Sequence, residues 1–159
     1  MYNRILIPLD GGPCSDYTVE HGANLAKLCG AELVFLYVKT PPSAVETASH
    51  RETHEELEQK ALGALERSLQ QARAGGVAAQ KTIVEASQPA EAILEAEKDF
   101  DLIVIGTHGR HGADRVILGS VSEAVLRRSQ KPHLVLRCPA DEAFDLIDYY
   151  RKVETHEEE

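Results

Sequence analysis

Leu102-Ile103-Val104-Ile105-Gly106-Thr107-His108-Gly109-Arg110-His111-Gly112-Ala113-Asp114-Arg115-Val116-Ile117-Leu118-Gly119-Ser120-Val121-Ser122 is the stretch from which the rest of the chain can be read. Its first five residues form a short aliphatic run rich in β-branched side chains, which predicts a buried strand over 102–106. A loop rich in glycine follows, and the next segment reads as a helix from Ser120 to Ser129 that carries Val121, Ala124, Val125 and Arg128. Strand, glycine loop and helix in that order suit an anion. Glycines let backbone N–H groups come close to phosphate oxygens, because no Cβ intervenes. The helix start points free N–H groups and a positive dipole end at the same place. Ser120 and Ser122 add hydroxyls, and Arg110 and Arg115 can offset phosphate charge. The alternative is a tight surface loop and a helix cap with no ligand.

Two better-known phosphate loops are excluded. No Lys-Ser or Lys-Thr pair follows a glycine at the Walker A distance, and the dinucleotide GxGxxG pattern would sit after the first strand, where this chain has only Asp10-Gly11-Gly12.

Upstream, Arg4 to Leu9 reads as a first strand, broken by Asp10-Gly11-Gly12-Pro13. Ser15 or Asp16 is placed to cap a helix with Val19, Ala23, Ala26 and Leu28 at its apolar positions, and Gly30 stands where a helix ends. Leu33–Val38 is a second strand, stopped by Pro41-Pro42. Residues 43–53 read as a polar loop turning into a helix with a stripe of Leu57, Ala61, Ala64, Leu65, Leu69 and Ala72, ended by Gly75-Gly76. Ala79–Val84 is a weaker third strand, and Pro89 opens a helix with Ala92, Ile93 and Ala96 on its inner side. Downstream, Pro132–Arg137 is the last strand.

Every pair of successive strands is separated by enough chain to hold a helix, so all the strands can be parallel. Right-handed crossovers then predict an α/β fold. It is a single doubly wound five-stranded sheet of order 3-2-1-4-5, with helices on both faces and a ligand crevice between strands one and four.

The chain has 159 residues, enough for one domain and one core. Its net charge is −9, of which −6 falls between Asp141 and Glu159. The acidity thus belongs to an appendage, and a basic nucleic-acid surface is not expected. In that appendage Ala143, Leu146, Ile147, Tyr150 and Val153 make a helical stripe, which predicts a C-terminal helical extension. The boundaries read as a nucleotide-binding domain over 1–138 and an acidic extension over 139–159.

No apolar run is long enough to span a bilayer, and the opening residues lack the pattern of a secretion signal, so a cytoplasmic protein is expected. Cys14, Cys29 and Cys138 lie far apart without a CxxC pair; they read as reduced, mostly buried thiols rather than zinc ligands. His50 and His54 stand four apart with Glu58 extending their face, but the pattern is not HExxH, and a solvated helix face is the plainer reading.

Gly106-xx-Gly109, nine further residues and then Gly119-Ser120 resemble the ATP-binding signature of the universal stress protein family. The opening strand with Pro8 and Asp10, and Pro132 before the last strand, fit the same family, so the likeness runs over nearly all of residues 1–138. The resemblance implies roles. Asp10 matches the carboxylate beside the ribose and metal region, and Val38 the position whose backbone contacts adenine. Pro8 and Leu9 would wall the adenine pocket. Gly106, Thr107 and Gly109 would cradle ribose and phosphates, and Gly119, Ser120 and Val121 would hold the phosphate tail, beside the Arg110 and Ser122 side chains named above for their chemistry. Mg²⁺ or Mn²⁺ would accompany the triphosphate, with Asp10 as the protein's own ligand.

The implied protein is a regulatory stress-response module that binds ATP, AMP or ADP. It would form a homodimer or larger homo-oligomer through residues 133–137 and serve a protein partner whose identity the sequence does not give. Nucleic acid and membrane are not expected partners. No catalytic base is evident beside the one acidic metal candidate, so a dedicated phosphoryl-transfer enzyme is not expected. A slow ATPase and a nucleotide-independent interaction module are the alternatives. The long acidic tail departs from the family pattern.

Overall fold

A computed structural model of the protein describes residues 1–10, 12, 14–42, 54–107 and 120–137. Strand β1 (Arg4–Leu9) leads into helix α1 (Ser15–Cys29) and strand β2 (Glu32–Lys39). Helix α2 (His54–Ala74), strand β3 (Ala79–Glu85) and helix α3 (Pro89–Ala96) follow, with a 3₁₀ turn at Glu97–Asp99. Strand β4 (Leu102–Gly106), helix α4 (Ser120–Arg128) and strand β5 (His133–Leu136) complete the described elements. The strands form one parallel sheet of order β3-β2-β1-β4-β5, the predicted topology.

The period-2 alternation of a strand divides the core between the two faces. Ile5, Ile7, Leu33, Phe35, Tyr37 and Val104 pack on one side against Val19 and Ala26 of α1 and Ala61, Leu65, Leu69 and Ala72 of α2. Leu6, Val34, Leu36, Ile103 and Ile105 pack on the other against Ile93 of α3 and Val125 of α4. Both faces of the central strands are therefore covered, and β1, β2 and β4 read as continuous apolar runs for that reason.

The local stops fall where backbone chemistry demands them. Gly30 ends α1 at φ 66 and donates back to Ala26 and Lys27. Gly76, at φ 84, turns the chain after α2. Pro89 sits in the first turn of α3, as predicted.

Some expectations are corrected. α1 is preceded by Cys14 in a helical conformation with no side-chain cap, so neither Ser15 nor Asp16 caps it. Leu28 is 83% exposed, because α1 buries the stripe through Val19 and Ala26, and Leu28 falls outside it. Cys14 is buried and engaged in a disulfide, while Cys29 is a free, half-buried thiol. Distant positions in the sequence cannot show which sulfurs a fold brings together. The expected extension over 139–159 lies outside the described residues.

Candidate functional site

In a doubly wound sheet, the chain leaves neighbouring strands to opposite faces where the strand order reverses, and a crevice opens at the carboxyl ends. Here that point lies between β1 and β4. α1, after β1, packs on one face with α2, and α4, after β4, packs on the other with α3. A cavity of about 480 Å³ opens there. Its floor is Pro8 and Leu9 of β1, Leu36, Tyr37 and Val38 of β2, and Ile105 and Gly106 of β4. Asp10, Cys14, Ser15 and Thr18 form one wall; Pro89, Ile93, Ser120, Val121, Ser122 and Val125 form another.

Asp10 is exposed at the mouth, and its Oδ1 accepts the Gly12 N–H at 2.7 Å. It therefore shapes the turn after β1 as well as facing the cavity. Gly12 sits tight against it: a Cβ there would lie 2.8 Å from the same oxygen.

Gly106 is a glycine for a reason the sequence does not reveal. The first turn of α1 lies directly on it, so a Cβ would stand 2.6 Å from Thr18 Oγ1 and 3.5 Å from Cys14 Cβ. Thr18 cannot yield freely, because its hydroxyl donates to the Cys14 carbonyl at 2.8 Å. On the opposite wall, Ser122 Oγ donates to the Gly106 carbonyl at 3.2 Å and ties the first turn of α4 to the end of β4. Ser120 and Val121 are exposed at that helix start.

The sequence-predicted residues Pro8, Leu9, Asp10, Val38, Gly106, Ser120, Val121 and Ser122 thus meet around one cavity. Thr107 does not line it: the residue is buried beside Gly106, its N–H donates to the Leu136 carbonyl at 2.9 Å, and its hydroxyl finds no partner among the described residues. Gly109, Arg110 and Gly119 lie outside the described residues.

The structure adds residues that sequence reasoning left out of the site. Thr40, after β2, and His54, Leu57 and Glu58 of α2 close the cavity on the side away from α4. The His54 and Glu58 side chains are only 27% and 16% exposed, which corrects their reading as a solvated face. Glu58 Oε1 lies 2.9 Å from Lys39 Nζ, and Glu58 Oε2 lies 4.0 Å from His54 Nε2. The hydrogen bond and charge of Glu58 hold the Lys39 ammonium's pKa above its ordinary value. Their four-residue spacing was the one available signal; which way that face turned was not in it.

Among the described residues, no three His, Cys, Asp or Glu side chains gather as a metal cluster. Nor is any helix among them long and apolar enough to cross a membrane.

Comparison with known proteins places these features in context. The profile of the Universal stress protein family matches residues 1–137. Universal stress protein MJ0531 of Methanocaldococcus jannaschii is 34% identical over 147 residues, covering 89% of this chain and 86% of that one. Universal stress protein YxiE of Bacillus subtilis is 34% identical over 151 residues, covering 86% of this chain and all of its own (100%). A relative from Mycolicibacterium smegmatis is 32% identical, and this chain spans only 45% of its length. The solved structure of hypothetical protein MJ0577 superposes with a TM-score of 0.70 at 29% identity, covering 87% of this chain and 98% of its own. A universal stress protein in complex with cAMP superposes at 0.65 with 24% identity, over 85% of this chain and 97% of that one, and shares the fold.

Proposed function

The chain belongs to the universal stress protein family, and from that premise we propose that it is a regulatory module that binds an adenine nucleotide in the cavity between β1 and β4. The observation that carries the reading is the wall of that cavity: the glycine-tight end of β4 joined to the exposed first turn of α4 at Ser120. The N-terminus of α4 offers unpaired N–H groups and a positive dipole end to phosphates. Gly109, Gly119 and Arg110 are assigned to the same phosphate loop, and Thr107, buried just past the end of β4, to its anchor. Asp10 is assigned to the ribose, and the backbone at Val38, over Pro8 and Leu9, to the base. Support also comes from two structures with the same fold, one solved in complex with cAMP and one from Archaeoglobus fulgidus in complex with dAMP.

Mg²⁺ fits this site only as a passenger of the triphosphate. One carboxylate, Asp10, stands at the cavity mouth, and Mg²⁺ commonly uses one or two carboxylates together with substrate phosphates. When bound, it would neutralise phosphate charge. ATP, ADP and AMP are all candidates for the occupant. We also assign the chain to self-association along β5, which ends the sheet and leaves Val135 38% exposed.

The test is thermal melting. ATP with Mg²⁺ raises the melting temperature, because a ligand that binds only the folded chain stabilises it by about 2.7 kcal/mol at a hundred times its Kd. GTP raises it less. Absence of a shift with every adenine nucleotide at millimolar concentration would overturn the reading.

A further inference from the structure

The cavity carries a charged group that the family signature does not use. Glu58, on the second turn of α2, is five-sixths removed from solvent by its surroundings, with a side-chain exposure of 16%. It lines the cavity together with His54 and Thr40. Lys39, the last residue of β2, grips one carboxylate oxygen at 2.9 Å, and among the described residues the other oxygen has the long 4.0 Å approach of His54 Nε2. Lys39 is itself shared with Glu85 at 3.8 Å, so the ion pair is braced from β3. The carboxylate is held in place rather than free to swing into water.

Its position in the sheet sets which part of a ligand it meets. β2 and β4 flank β1, so the Lys39–Glu58 end of the cavity stands two strand spacings, about 10 Å, from the β4–α4 end. The α4 start attracts anions, and the Glu58 carboxylate repels them. A nucleotide can therefore lie in the cavity in one polarity, phosphates toward α4 and base toward α2. An ionised carboxylate only accepts hydrogen bonds. The base edge that it favours must present a donor.

We propose that Glu58, steadied by Lys39, selects the base: its carboxylate accepts from the exocyclic 6-amino group of a purine and rejects a 6-oxo purine. The inference rests on the nucleotide reading above and deepens it. ATP and ITP make the sharpest probe pair, since they differ only at C6 and the adjoining N1. A 6-oxo group in the amino position would set two acceptors against each other, and accepting from the adjoining N1–H instead would shift the base off that pairing.

The experiment compares equilibrium binding of ATP and ITP to the full chain and to Glu58→Gln. Wild type binds ATP about tenfold more tightly than ITP, the discrimination that one correctly paired buried polar group supplies. In Glu58→Gln the ratio falls toward one, because an amide both donates and accepts. Glu58→Ala, with no polar group, shows the same collapse of the ratio and guards against a misfolded glutamine variant; melting of the unliganded variants checks the fold. An unchanged ATP-to-ITP ratio in variants that bind both nucleotides overturns the role of Glu58 and leaves the nucleotide site standing. Failure of wild type to bind either nucleotide overturns both.

Discussion

Gly106 shows how one position can serve two masters. The glycine signature reads as a way to bring backbone to phosphate, yet the closest neighbour of its missing Cβ is Thr18 Oγ1 of α1, at 2.6 Å. The residue is thus required by packing before any ligand arrives. Gly106→Ala should lower stability by about 1–3 kcal/mol, the usual cost of overpacking a tight site. Removing the obstacle with Thr18→Ala in the same chain should recover part of that loss, because neighbours in contact are not additive. Urea melts of the two single variants and the double variant decide it; strict additivity would mean that the two side chains do not collide. Asp10 makes the complementary point, since one carboxylate both closes a turn onto Gly12 and faces the cavity.

At the scale of elements, polar side chains fasten the layers at their ends. Glu97 is 6% exposed, and it accepts from Ser129 Oγ and from the Gln130 N–H at 3.3 Å, so the exit of α4 is held against the turn after α3. Arg128 of α4 adds an exposed pair with Glu91 of α3. At the far end of the sheet, Asp101 leads into β4, and its Oδ2 accepts the N–H groups of Asn3 and Arg4 at 2.8 and 2.9 Å. Arg4 in turn reaches Glu32 at the start of β2 and lies over the Phe100 ring. The two backbone donors hold the Asp101 carboxyl below the ordinary aspartate pKa. A carboxyl whose folded pKa is depressed contributes stability that is fully present above the unfolded pKa and is lost as pH falls through the folded one. Asp101→Asn should therefore be less stable than wild type at neutral pH. The difference should shrink as pH drops below about 4, where the unfolded aspartate begins to protonate. Paired denaturant melts from pH 7 down to pH 3 measure this; a gap independent of pH would show that Asp101 acts through shape and not charge.

For the whole molecule, we assign assembly to the acidic segment and to β5, which is the edge strand among the described residues. The fold ends its sheet at β5, with Leu134 and Leu136 half-buried against the α1–α2 side of the core and Val135 exposed. Among the described residues β5 thus leaves Val135 exposed at the end of the sheet, and we propose that a second copy covers it. The stripe of Leu146, Ile147 and Tyr150 in the extension would bury roughly 1.5–3 kcal/mol per large side chain on docking. If that docking is onto a neighbouring subunit, removing residues 139–159 weakens assembly more than it weakens ATP binding. Light scattering across concentrations, with and without the segment, reads the mass directly, and identical masses would rule out a role in assembly.

Much of this protein was legible along the chain alone. Period-2 and period-3.6 patterns, Gly30, Pro89 and the aliphatic runs each report on their own neighbourhood, and helix-length crossovers with fixed handedness leave little freedom in strand order. The strand–glycine–helix stretch was local in the same sense and named Gly106, Ser120 and Ser122, while the family resemblance added Pro8, Leu9, Asp10, Val38 and Val121; all of them line one cavity. What only the tertiary structure decided is which side chains from different elements face each other. Thr18 against Gly106, Glu97 under the end of α4, the disulfide at Cys14, and His54 and Glu58 turned into the cavity over Lys39 all depend on how helices sit on the sheet. That placement is set by packing between residues far apart in the chain, and no periodicity within a segment records it.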